Sequence, residues 1–91
     1  MEHVKKHLDR LLDAREYPKT ICPSEVARAL SNSELEALGA ESWRDLMPTI
    51  REHVFGLRDR GSVEILQKGN AIPADQSLEE TTGPIRVRKC S

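Results

Sequence analysis

The spacing of the apolar residues changes at Gly61, and this change limits the fold more than any other feature of the sequence. Before Gly61 the apolar residues recur every three or four positions, which is typical of amphipathic helices. After it, Val63 and Ile65 follow an alternating pattern, as do Ile85 and Val87, and alternation of this kind predicts β-strands. A chain with helices first and a pair of strands last is expected to have an α+β fold.

Three helices are predicted before the strands. The first covers about residues 2–15 and is followed by a short extended segment, Thr20-Ile21, that could form an edge strand. The second covers about Pro23 to Ser31, and the third runs from about Ser42 to Arg60. Pro48 lies in the second turn of the third helix, so either a kink or a later helix start is expected there.

Residues near the helix ends match known capping preferences. Pro23 suits the first position of the second helix, because its missing N–H would be unbonded there, and Cys22 then occupies the N-cap. Ser33 and Glu36 match the S-x-x-E capping box, and Gly39 suits a C-cap. The linker between the second and third helices is therefore expected to contain one helical turn.

The predicted order of elements is that of a winged helix, in which a three-helix helix-turn-helix core is followed by a C-terminal β-hairpin wing. The chain has 91 residues, which suits one domain, so we expect a single winged-helix-like domain over residues 1–91. The predicted linker of roughly ten residues is longer than the usual turn of the helix-turn-helix motif. The expected core consists of Leu8, Leu11, Leu12, Val26, Leu30, Trp43, Leu46, Ile50, Val54, Leu57, Val63, Ile65, Ile85 and Val87.

Four motifs are spaced along the chain between Thr20 and Arg86. They are Thr20–Leu30 (TICPSEVARAL), Trp43–Pro48 (WRDLMP) with Arg51 after it, Gln67–Gly69 (QKG) and Gly83–Arg86 (GPIR). In this order they resemble the signature of a small bacterial family, the domain of unknown function 3253. The resemblance extends over nearly the whole chain. It implies a winged-helix-like fold and no established activity.

Composition and motifs argue against several function classes. No apolar run approaches the roughly 20 residues that span a bilayer, and no signal-peptide pattern is present, so we expect no membrane association and a cytoplasmic location. Cys22 and Cys90 lack metal-binding or redox spacing, and both are expected to be reduced thiols. His3 and His7 are expected to form a surface pair. No catalytic motif was found, so we expect neither an enzyme nor a bound cofactor or metal.

Positive charge is concentrated in the second half of the chain, although the net charge is −1. Residues 42–70 and 83–91 carry eight Lys and Arg residues against four acidic residues, whereas residues 21–41 carry one Arg and four Glu. At 100° per residue, four third-helix residues cluster away from the core direction, and Pro48 flanks them. Such a face could bind phosphates or guanine edges of double-stranded DNA. The four residues are Arg44, Arg51, Phe55 and Arg58.

The predicted hairpin supplies a second group of cations. Lys68, Arg86 and Arg88 are expected on or beside the wing, where they could contact the DNA backbone or the minor groove. Arg86 and Arg88 would share the strand face opposite Ile85 and Val87. Charges on an edge strand also discourage edge-to-edge aggregation, and this structural role is the alternative.

Protein interaction is the alternative function for the third-helix face. Phe55 is the only Phe in the chain and is expected to point away from the core. An exposed aromatic residue flanked by arginines is typical of the centre of a protein interface, so a protein partner or a second copy could dock there. The face could also be an ordinary solvated one whose arginines pair with acidic residues one turn away.

Overall fold

Within residues 2–15 and 19–90, which the computed structural model describes, four α-helices precede a small antiparallel sheet. The helices are α1 (Glu2–Asp13), α2 (Pro23–Ala29), α3 (Asn32–Ala37) and α4 (Met47–Asp59), with a 3₁₀ turn, Trp43–Leu46, directly before α4. The strands are β1 (Val63–Gln67), β2 (Asn70–Ala71) and β3 (Arg86–Lys89). This order confirms the predicted α+β class and is compatible with a winged-helix-like fold.

The sheet has the strand order β2-β1-β3. β1 and β3 are antiparallel with Ile65 opposite Val87, so the predicted strand pair is confirmed. Ile21 adds an isolated bridge on the other side of β3, because its N–H donates to the Val87 carbonyl at 2.7 Å and its carbonyl accepts from the Val87 N–H at 2.8 Å. The extended segment predicted at Thr20-Ile21 therefore lies at the edge of the sheet.

The hydrophobic core joins α1, α2 and α4 to the sheet. Three residues that we expected in the core, Leu11, Trp43 and Leu57, are only partly buried and pack against its edge. The others are buried, and Phe55 joins them with 5% of its surface exposed. The confirmed core residues are Leu8, Leu12, Val26, Leu30, Leu46, Ile50, Val54, Val63, Ile65, Ile85 and Val87.

Proline fixes the start of two helices. Cys22 is the N-cap of α2 with extended backbone angles, and Pro23 is the first residue of the helix, as predicted. α4 begins at Met47 and not at Ser42, so of the two expectations for Pro48 the later helix start is correct. Pro48 occupies the second position of α4, where a missing N–H leaves no intrahelical hydrogen bond unmade.

The capping box of α3 lies two residues earlier than predicted. Ser31 is the N-cap: its hydroxyl accepts from the Glu34 N–H at 3.2 Å, and its own N–H donates to the Glu34 carboxylate at 3.0 Å. The prediction of Ser33 and Glu36 for these positions was wrong. Ser31 must be extended to act as the cap, and α2 consequently ends at Ala29 and not at Ser31.

Glu34 also connects α3 to α1. Its carboxylate accepts hydrogen bonds from His3 Nδ1 at 3.0 Å, Lys6 Nζ at 3.1 Å and His7 Nε2 at 3.0 Å. The side chain of Glu34 is 14% exposed. The hydrogen bond from the Ser31 N–H, followed by those from His7 and Lys6, lowers the pKa of Glu34 below its ordinary value of 4.5. His3 and His7 are thus engaged with the neighbouring helix.

We expect Glu34→Gln to change the pH dependence of stability. Because folding lowers the pKa of Glu34, the charged carboxylate stabilises the fold above pH 4.5, and this contribution is lost as the pH falls below that value. Urea unfolding from pH 7 down to pH 3 should therefore show a smaller acid loss for Glu34→Gln than for the wild type. Glu36→Gln, on the exposed side of the same helix, is the control. Parallel pH curves for Glu34→Gln and the wild type would contradict this role.

Candidate nucleic-acid interface

The segment of residues 72–84 folds back over the middle of α4. Arg51 donates from Nη1 to the Gly83 carbonyl at 3.1 Å and from Nη2 to the Thr81 carbonyl at 3.1 Å. Arg58 Nη1 donates to the Gln76 carbonyl. Two arginines that we predicted for DNA contact therefore hold this segment against the helix.

Phe55 is buried beneath this covering, so the prediction that it points into solvent was wrong. Phe55 is 5% exposed, and the guanidinium carbon of Arg58 lies 4.7 Å from the centroid of its ring. The Arg58 side chain is only 10% exposed, and its Nη2 pairs with Asp59 at 2.9 Å. A helical projection gives the direction of Phe55 relative to the core side of its own helix, and it contains no information on residues 72–84. Phe55, the predicted centre of both the DNA interface and the protein interface, is therefore inaccessible to a partner.

The groove beside Phe55 is acidic. It has a volume of about 800 Å³ and lies between α4 and residues 74–79. Arg58 is its single basic lining residue among the described residues, and that side chain is already paired. A groove of this charge repels the phosphate backbone of a nucleic acid. Its acidic lining residues are Glu52, Asp59, Asp75 and Glu79.

Two arginines share the ring of Trp43 at the start of the α4 region. The guanidinium carbons of Arg28, in the last turn of α2, and Arg44, in the 3₁₀ turn, lie 4.9 Å and 4.6 Å from the ring centroid. Trp43 is half-buried, whereas both arginines are exposed. Stacking on an aromatic face holds a guanidinium in place and leaves its N–H edges available.

These two arginines have no acidic partner within the described part of the chain. None of the ion pairs there, with N–O distances of 4.0 Å or less, includes Arg28 or Arg44. Asp45 follows Arg44 directly, yet its Oδ2 accepts from the N–H groups of Glu41 at 3.0 Å and Ser42 at 3.2 Å. The carboxylate nearest in sequence to Arg44 is thus occupied in capping the 3₁₀ turn.

Lys68 and Arg86 line a second opening, a cleft of about 620 Å³ at the end of the hairpin. Lys68 and Gly69 form the two-residue turn between β1 and β2, both with positive φ, 52° and 83°. Such a pair of angles suits a tight hairpin and leaves the Lys68 side chain exposed at its tip. Arg86 is also exposed, and its Nε donates to Thr20 Oγ1 at 2.9 Å.

The first half of α4 and the end of β1 contact the same segment of the chain. The chain reverses directly after α4, where the Ser62 N–H donates to the Leu57 carbonyl at 2.9 Å. Arg51 near the start of α4 and Gln67 at the end of β1 then both bind the segment of residues 81–84, Gln67 through the Thr82 carbonyl at 2.7 Å. We use the name basic end for the exposed cations that border these elements, Arg28, Arg44, Lys68 and Arg86, together with the exposed Pro48.

A comparison with protein families identifies the family of this chain. Residues 1–90 match the family described as "Protein of unknown function (DUF3253)". The chain belongs to the DUF3253 family. A comparison with curated proteins found no match. Among the residues that the structure describes, no helix of this DUF3253 protein is long and apolar enough to cross a membrane.

Several other cations of the DUF3253 protein are neutralised by neighbouring carboxylates. Arg88 Nε lies 3.0 Å from Glu64 Oε1 across the β1–β3 pair, and the Arg88 side chain is 19% exposed. Lys89 pairs with Asp13 of α1. The hairpin cations thus divide into two groups, since Arg88 and Lys89 stabilise the sheet edge whereas Lys68 and Arg86 belong to the basic end.

Half of the residues that the sequence indicated for DNA contact are exposed in the structure. Arg44, Pro48, Lys68 and Arg86 are exposed at the basic end. Sequence reasoning missed Arg28 and assigned Trp43 wholly to the core. Their contact spans the linker between α2 and α4, and no spacing within the sequence indicates it. The predicted residues that are instead occupied within the fold are Arg51, Phe55, Arg58 and Arg88.

Proposed function

We propose that this protein binds double-stranded DNA and that its basic end contacts the sugar-phosphate backbone. The observation that supports the proposal is the sorting of cations. Arg28, Arg44 and Lys68 have no carboxylate partner within the described residues, and Arg86 bonds only to neutral oxygens of Thr20. Some cations elsewhere, such as Arg88 and Lys89, are paired with acidic side chains, whereas the exposed Lys5 and Arg60 form no ion pair in the part of the chain that the structure describes and serve as the comparison below. Phosphate neutralisation by such cations dominates DNA affinity.

The geometry of the basic end favours a duplex. The basic end includes the first turn of α4 and the tip of the hairpin, and in helix-turn-helix proteins the N-terminal residues of one helix contact the DNA major groove. Pro48, in the first turn of α4, is exposed. The acidic groove lies further along α4, so the middle of the helix is not proposed as a contact surface.

The salt dependence of binding tests this proposal. Four phosphate contacts predict that the logarithm of the affinity falls with the logarithm of salt concentration with a slope of about −3.6. Between about 50 and 200 mM salt, the affinity for a fluorescein-labelled duplex of about 20 base pairs should fall about 100-fold. Fluorescence anisotropy measures both quantities. No binding at the lowest salt concentration, or an affinity that does not change with salt, would overturn the proposal.

Docking of a protein partner or a second copy around Phe55 is the weaker proposal. The residue that motivated it is buried and stacked under Arg58. We therefore expect sedimentation equilibrium to give the monomer mass at micromolar concentrations. A stable dimer that is lost on replacement of an exposed α4 residue, Glu52, would restore the interaction proposal.

A further inference from the structure

The Arg28–Trp43–Arg44 cluster has a feature that an ordinary surface contact lacks. Both guanidinium carbons lie over one ring, at 4.9 Å and 4.6 Å from its centroid, so their separation is no greater than the sum of these distances. Two positive charges this close repel each other, and within the described residues no carboxylate forms an ion pair with either of them. The indole ring compensates part of this repulsion through its electron-rich faces.

The arrangement prepares both side chains for phosphate. Arginine presents a planar set of N–H donors that matches phosphate oxygens, and a stacked guanidinium has lost part of its rotational freedom before any ligand arrives. Binding then costs less conformational entropy than it would for a mobile side chain. Successive phosphates of one DNA strand would provide the missing negative charge.

We infer that Arg28 and Arg44 bind successive phosphates of the same DNA strand and that Trp43 is the positioning residue that holds both guanidiniums. This inference rests on the proposed function and adds Arg28 and Trp43 to its surface. The contact would include α2 as well as α4, so the strand would pass across the 3₁₀ turn. Lys68 and Arg86 would contact the backbone separately, at the hairpin.

A double-mutant cycle tests the role of Trp43. Replacing Trp43 by Leu retains both charges and should weaken binding to the labelled duplex about fivefold to tenfold through loss of positioning. In an Arg28→Ala/Arg44→Ala background the same Trp43 replacement should have no further effect. Trp43→Phe retains an aromatic ring and should preserve most of the affinity. Circular dichroism melting of each variant shows whether the fold is intact.

The salt slope provides a readout that a purely structural role would not change. Arg28→Ala should reduce the slope by about 0.9, which corresponds to one lost phosphate contact, and Lys68→Ala should do the same. The fluorescence of Trp43, the only tryptophan in the chain, should change on addition of duplex DNA.

Failure of the inference can be distinguished from failure of the proposed function. One outcome would be that the wild type binds the duplex and that Lys68→Ala lowers the salt slope, whereas Arg28→Ala leaves it unchanged. The inferred phosphate pair would then be wrong, and the proposed function would stand. If Trp43→Leu weakens binding equally in both backgrounds, Trp43 does not act through the arginines. If the wild type fails to bind duplex DNA at low salt, both the inference and the proposed function are wrong.

Discussion

Phe55→Ala is expected to lower the free energy of unfolding by about 3–5 kcal/mol, the usual loss for truncating a buried aromatic residue. Phe55 of α4 is buried and lines the same groove as residues 74–79, and Arg58 stacks on its ring. Its removal would leave a cavity and release the guanidinium from its stacked position. Urea denaturation followed by circular dichroism gives the value directly.

Two controls make the result for Phe55 specific. Phe55→Leu retains most of the apolar volume and should lose less than half as much stability as Phe55→Ala. Leu57→Ala, at a partly buried position on the same helix, should also cost less. A loss below about 1 kcal/mol for Phe55→Ala is typical of surface positions and would mean that residues 72–84 do not cover the ring.

Reversal of two charges at the basic end should have the largest effect on DNA affinity. Arg44→Glu/Lys68→Glu removes two phosphate contacts and adds repulsion, and we expect about a 100-fold loss of affinity at about 100 mM salt. Lys5→Glu/Arg60→Glu is the matched control, because it changes the net charge equally at exposed positions on α1 and beyond the C-terminal end of α4. Anisotropy titrations of both variants measure the difference.

Equal losses in the two double variants would show that only the net charge matters. The interface at the basic end would then be contradicted even if the wild type binds DNA. A loss confined to Arg44→Glu/Lys68→Glu would separate a localised contact from general attraction, since the two variants have the same total charge.

The elements with strong local signals were predictable from the sequence. Pro23 and Cys22 indicated the start of α2 because proline is tolerated at few helical positions. The alternating residues around Ile65 and Val87 fixed the face of each strand that is buried, and a slip of one residue would turn these side chains to solvent. The register of β1 and β3 agrees with that pattern.

The α3 cap was not predictable because two overlapping motifs fit it equally well. Ser31 with Glu34 and Ser33 with Glu36 both match S-x-x-E. The structure uses the first pair, in which the carboxylate of Glu34 also accepts hydrogen bonds from α1. Tertiary contacts from another helix therefore distinguish motifs that are locally equivalent.

The candidate site was only half predictable for a related reason. Arg44 lies in the 3₁₀ turn and Lys68 in the hairpin turn, where exposure follows from local structure. Arg51 and Phe55 lie on a helix face that faces solvent in a projection of the helix alone, and the long segment after β2 covers that face. Loops of this length have weak local preferences, so the sequence gives little indication of the surface on which they settle.

The most direct test of the account is a map of the amide resonances of the ¹⁵N-labelled protein during titration with duplex DNA at low salt. We expect the largest shift changes at Arg28, Arg44, Lys68 and Arg86, with Phe55 and Asp59 unchanged. Changes centred on Phe55 and Asp59, with the basic end unaffected, would contradict it.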